Sequence, residues 1–150
     1  MIHFDVYIES YKRYTNGVVV TSPRFISKSY FNSKEIGDFM IESNIEINNI
    51  TDTFILTDLA SMSICVLEEY QNQGIARKMV CHLIDFIKDN YKIRKDKMLF
   101  IDADASNGFW DYIGMKPNRF YDRYLYKTEG SGYEKVITFS ELVKWCKDKK

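Results

Sequence analysis

This sequence predicts an α+β fold: an α/β sandwich with a central, mixed but mostly antiparallel sheet of six to seven strands flanked by helices. Three observations carry that expectation. The elements run as strands, then strand–helix–strand–helix–strands. One long segment, from about Gln73 to Tyr91, places apolar residues at helical spacing over several turns. The segments around it are short, β-branched or aromatic, and separated by turn residues.

Phe4, Val6 and Ile8 alternate with Asp5 and Tyr7, a strand pattern. Thr15-Asn16-Gly17 is a turn signal, and the β-branched Val18-Val19-Val20 opens a second strand, which Ser22-Pro23 should break. Ser33 followed by Lys34-Glu35-Ile36 reads as a helix cap, with Ile36, Phe39, Met40 and Ile41 on the apolar side. Ile45 to Ile50 carries no clear period. Thr53 to Leu59 and Ser63 to Leu67 read as adjacent strands. In the long helix Ile75, Met79, Leu83, Phe86 and Ile87 share a face, and Arg77, Lys78, Cys81, Asp85, Lys88 and Asp89 fall on the other. Met98 to Ile101 is a short apolar strand extended by Asp102-Ala103-Asp104. A brief helix from Asn107 to Ile113 should end at Gly114, with Pro117 stopping any continuation. Tyr124 to Tyr126 and Lys135 to Phe139 are strand candidates, and Ser140 is placed to cap a final helix bearing Leu142, Val143 and Trp145.

A chain of 150 residues suits a single domain, 1–150, with enough length to bury a core. Its 21 basic residues balance 21 acidic ones, so global charge favours neither nucleic acid nor an acidic membrane as partner. The Lys92 to Lys97 cluster reads as solvated charge. Cys65, Cys81 and Cys146 are scattered, and His3 and His82 are the only imidazoles, which argues against a structural zinc site. Reduced thiols, the absence of a basic-then-apolar start and the lack of a membrane-length apolar run predict a cytoplasmic protein.

The segment Gln71-Asn72-Gln73-Gly74-Ile75-Ala76 joins an apolar strand ending near Val66 to the long helix. A strand, a glycine turn and a helix start suit a phosphate or pyrophosphate, because first-turn amides and the helix dipole both favour an anion. Gln71, Gly74 and Ala76 resemble the Arg/Gln-x-x-Gly-x-Gly/Ala acyl-CoA-binding motif of the GNAT superfamily of N-acetyltransferases. Asn107-Gly108-Phe109-Trp110-Asp111-Tyr112-Ile113-Gly114-Met115 looks like that family's later segment, an aromatic-rich short helix ending in glycine. The resemblance covers Ser61 to Pro117; the first third and the last quarter match only in outline.

The resemblance implies a GNAT-like fold in which two central strands splay and the pantetheine of the cosubstrate acetyl-CoA enters the gap. It places the pyrophosphate against amides of Asn72, Gln73, Gly74, Ile75 and Ala76. Pantetheine would lie along the strand bearing Cys65 and Val66, with an amide near Val66 facing the thioester oxygen. Two roles fit Arg77, a cofactor phosphate contact and an exposed helix arginine. Two also fit Asn107, a pantetheine contact and a helix N-cap. Trp110 stands where relatives carry a proton-donating tyrosine, so it is expected against the cofactor or in the core. Tyr112, turned to another helix face, is the nearby phenol that would replace it, with Tyr121 and Tyr124 further off. Cys65 reads as core rather than nucleophile, since no histidine lies near it in sequence.

A lysine-like amine has a pKa of about 10.4 and needs a base near neutrality. Asp102 and Asp104, at the end of the strand after the long helix, are the leading candidates, each equally suited to a turn or cap; Glu68, Glu69 and Asp58 also qualify by position. The implied function is acetyl transfer from acetyl-CoA to a primary amine, on a small molecule or a peptide, by direct attack in a ternary complex. The alternative is a GNAT-like acyl-CoA-binding or protein-interaction module. A homodimer through the last strands is compatible with either. No Gly-x-x-x-x-Gly-Lys-Ser/Thr or Gly-x-Gly-x-x-Gly loop supports a nucleotide enzyme.

Overall fold

The computed structural model describes residues 1–15, 18–43, 60–91, 98–102, 107–117 and 133–148. Strands β1 (Ile2–Thr15) and β2 (Val18–Phe31) pair antiparallel from Ile2↔Phe31 out to Thr15↔Val18, on either side of the predicted turn. Pro23 does not break β2; it sits within the strand opposite Ser10. A proline cannot donate to a ladder. The described ladder to β3 (Lys34–Ser43) begins only at Arg24↔Glu42, so at Pro23 the described pairing is with β1 alone.

The stretch predicted helical behind Ser33, Lys34 to Ile41, is instead part of β3. Asn32 and Ser33 have φ of 50° and 70°, the pair of positive angles that a two-residue type I′ hairpin turn requires. Ser33 therefore reverses the chain rather than capping a helix. Ile36, Phe39 and Met40 fit helical spacing, but Gly37, Phe39 and Ile41 alternate toward the core. A register shift opposite Ser29/Tyr30 absorbs Ile36 as a bulge, which lets Ile36 and Gly37 both be buried.

β3 pairs antiparallel with β4 (Ala60–Val66), from Gly37↔Val66 to Ser43↔Ala60. β4 and β5 (Met98–Asp102) form a parallel pair. Antiparallel pairing to β7 (Tyr133–Thr138), and of β7 to the short β6 (Lys116–Pro117), completes the order β1-β2-β3-β4-β5-β7-β6. The predicted strands Thr53 to Leu59 and Tyr124 to Tyr126 lie outside the described residues.

Helix α1 (Ile75–Asn90) lays Ile75, Met79, Val80, Leu83, Ile84 and Ile87 into the core, packing across β1 to β4 and against the last helix. Contact on two sides widens the apolar stripe, so Cys81, predicted on the polar side, is buried as well. Each aliphatic side chain buried this way contributes about 1.5–3 kcal/mol. Helix α2 (Asn107–Ile113) matches its predicted limits. It ends in a Schellman arrangement: Gly114 at φ 98°, its N–H on the Asp111 carbonyl, and the Met115 N–H on the Trp110 carbonyl. Lys135 of β7 pairs with Asp111 and ties α2 to the sheet.

Helix α3 (Phe139–Asp148) starts before the predicted cap at Ser140. Thr138 Oγ1 accepts the Glu141 N–H at 3.1 Å, and the Glu141 carboxylate accepts the Thr138 N–H at 3.2 Å. This reciprocal Thr-x-x-Glu box satisfies two amides at once, which Ser140 has no partner to do.

Candidate active site at the splay of β4 and β5

The described ladder between β4 and β5 holds only Ala60↔Leu99 and Ser61↔Phe100. Among the described residues β4 runs on from Met62 to Val66 without a β5 partner, which marks the splay of the two strands. The Leu67 N–H donates to the Ile36 carbonyl at 2.9 Å, across the β3 side. Peptide groups of an antiparallel pair alternate between the two edges. The N–H and C=O of Val66 therefore point the other way, into the splay. Gln71 confirms that direction: its Nε2 donates to the Val66 carbonyl at 2.9 Å.

Between β4 and α1 the chain makes one tight 3-10 turn, Glu68–Tyr70, then two left-handed residues, Asn72 at φ 64° and Gly74 at φ 79°. The Gln73 side chain stays within this turn, donating to the Glu69 carbonyl at 3.3 Å. Gly74 is the N-cap of α1; no side chain caps the helix and no acidic residue sits in its first turn. Those amides carry partial positive charge and suit an anion. Arg77 adds a full charge beside them: its Nη2 lies 3.7 Å from where a Cβ on Gly74 would stand.

A cleft of about 660 Å³ joins these parts. Val66, Gln71, Asn72, Gly74, Ala76 and Arg77 line it, with Ile75 at its helix end, so the predicted turn and strand end converge on one cavity. Its far wall is the exposed side of α2, with Gly108, Phe109 and Tyr112. Tyr112 is 54% exposed and packs edge-on against Trp145, with ring centroids 5.8 Å apart. Sequence reading missed Ile64, Tyr70 and Phe109 as lining residues. Phe109 and Tyr112 stand three apart on α2, a spacing that puts both on one face.

Other predicted positions fall elsewhere. Trp110 is fully buried, 6.4 Å from the ring of Phe39, and does not line the cleft; it belongs to the core. Cys65, predicted to be core, is exposed: Met62, Ile64 and Val66 face α1, so alternation turns Ser63 and Cys65 to the opposite face. Asn107 opens α2 and Asp102 ends β5 opposite Tyr133, but their side chains lie outside the described residues, as does all of Asp104. Among the described residues no group of His, Cys, Asp and Glu is placed to hold a metal, and no helix is long and apolar enough to cross a membrane.

The fold has solved counterparts. The chain superposes on an uncharacterized protein from Bacillus halodurans with a TM-score of 0.53 at 11% identity, covering 83% of this chain and 64% of that one. It superposes on the GNAT domain of S. lividans PAT with a TM-score of 0.50 at 13% identity, covering 77% and 60%. For smu.2055 from Streptococcus mutans UA159 the TM-score is 0.51 at 15% identity, covering 77% and 70%. The chain thus spans less than two thirds of the length of the first two. No protein-family model and no curated protein sequence matches it. An α+β chain with this sheet and this splay has the fold of the GNAT acetyltransferases.

Proposed function

We propose that this chain is a single-domain N-acetyltransferase that moves an acetyl group from acetyl-CoA to a primary amine by direct attack in a ternary complex. One observation carries the reading: the open edge of β4 at Val66 and the uncapped start of α1 at Gly74 meet in the same cleft. A pantetheine arm needs a strand edge to pair with, and a pyrophosphate needs amides and positive charge; the cleft supplies both. Acetyl-CoA brings an activated thioester. The chain's own residues do the rest. Gly74, Ile75 and Ala76 offer amides to the pyrophosphate, with Arg77 adding charge. The Val66 N–H stabilises the oxyanion that forms on the acetyl carbon's oxygen. Tyr112, on the cleft wall, protonates the departing thiolate.

Calorimetric titration with acetyl-CoA tests the reading, with dephospho-CoA and ATP as controls. Specific micromolar binding of acetyl-CoA is expected. Absence of binding by the folded protein would reduce the cleft to a feature of the scaffold and favour an interaction module.

A further inference from the structure

The face of the sheet opposite α1 carries a carboxylate that the reading above does not use. Asp38 lies on β3 directly across from Cys65, the residue before Val66. Paired residues on adjacent strands share a face, so Asp38 and Cys65 point together away from α1. Lys28, across on β2, is engaged by Glu35 at 2.7 Å, and Arg24 by Glu42 at 3.0 Å. Asp38 is half-buried, and among the described residues no hydrogen bond or ion pair reaches it. Among the described side chains of β4, Ser63 and Cys65 are small, exposed and on this face. Adjacent strands are about 4.8 Å apart, so Asp38 stands one strand spacing from β4, and its carboxylate would act on the splay through water.

Resting on the acetyltransferase reading, we propose that Asp38 is the base that takes the proton from the acceptor's ammonium group, and that the acceptor enters from the face opposite α1. In this arrangement the cosubstrate's phosphates take the α1 side and the amine takes the other face of the sheet. The proton count closes. Asp38 takes one proton from R–NH3+, leaving a neutral amine. Its lone pair forms the C–N bond at the thioester carbon while the C–S bond breaks. A second proton leaves the nitrogen and ends on the thiolate, and Asp38 returns its own to water.

The environment supports that role. Burial, then the charge of Glu35, push the Asp38 carboxyl above the ordinary carboxylate range, against a smaller opposing pull from Lys28. Among the described residues the groups facing it are Lys28 on β2, Glu35 on its own strand and Cys65 on β4, with Tyr7 and Tyr30 bordering Lys28. A base whose proton affinity is raised accepts a proton more readily.

The test compares wild type, Asp38→Asn and Asp102→Asn. Acetyl-CoA affinity is measured by calorimetry, and transfer to spermidine, an aminoglycoside and a lysine peptide by thiol release. A fluorinated ethylamine, neutral at pH 7, is the control acceptor. Asp38→Asn should bind acetyl-CoA as wild type does and lose about 10²- to 10⁴-fold in kcat on the best ammonium acceptor. It should lose far less on the neutral amine, and the acidic limb of the pH–rate profile should flatten. Equal loss on both acceptors, or a loss confined to Asp102→Asn, would overturn the assignment of Asp38 alone. A wild type that binds no acetyl-CoA, or acetylates none of the amines, would overturn the acetyltransferase reading and the assignment with it.

Discussion

The Gln71 side-chain amide holds the carbonyl of Val66 at 2.9 Å, so the first residue of the turn fixes the last peptide group of the strand it follows. The Val66 N–H shares that group's orientation and is the proposed oxyanion donor. One hydrogen bond of this kind is worth about 0.5–1.5 kcal/mol, so Gln71→Ala should weaken acetyl-CoA binding by about 2- to 10-fold. Calorimetry measures it. Tighter binding would mean that Gln71 occupies an acceptor the ligand needs.

Gly74 offers a cleaner probe of the anion site. Its φ of 79° strains most side chains, but asparagine and aspartate tolerate that region best. The two are nearly isosteric and differ in charge. Like charges about 4 Å apart repel by about 1–4 kcal/mol near a protein surface. Gly74→Asp should therefore bind acetyl-CoA at least about fivefold more weakly than Gly74→Asn. Equal affinities would place the phosphates elsewhere.

The elements with long or redundant signals were legible in the sequence. α1 carries its period over sixteen residues, and α2 has both an aromatic face and a closing glycine. The turn from Gln71 to Ala76 was legible because glycine, strand end and helix start coincide. β3 was not. Its bulge at Ile36 breaks the two-residue period, and Asn32-Ser33 is a less obvious hairpin turn than Asn-Gly. Misplacing β3 also hid Asp38, because only its register beside β4 brings that carboxylate to the splay. Cys65 was misjudged for a related reason: a strand gives no sign of which alternate face a helix will cover.

Gly37 is closely packed beside the site. A Cβ there would stand 3.0 Å from the Cys65 carbonyl oxygen, 3.0 Å from Ser29 Oγ and 3.1 Å from Met79 Cε. Met79 can yield, but the Cys65 carbonyl is backbone. Overpacking of this kind costs about 1–3 kcal/mol, and Gly37→Ala should lower Tm by about 2–10 °C. Gly108→Ala, with no heavy atom within 4 Å of the new carbon, is the control and should hold or raise Tm. A Gly37→Ala protein as stable as wild type would show that β3, β4 and α1 can separate there.

Asp38 should also leave a mark on stability against pH. Its pKa is raised in the folded protein, so between the ordinary carboxylate value and the folded value the native state binds more protons than the unfolded chain. Stability from this group is complete below the unfolded pKa, about 3.9, and falls as pH rises through the folded value. Asparagine carries no such dependence. Asp38→Asn should melt above wild type at pH 7, with the two curves converging as pH approaches about 4. Thermal unfolding followed by circular dichroism between those limits decides it. Parallel curves at a constant offset would mean that the carboxylate is solvated and titrates as it does in the unfolded chain, which would also remove the support that its environment gives to its role as a base.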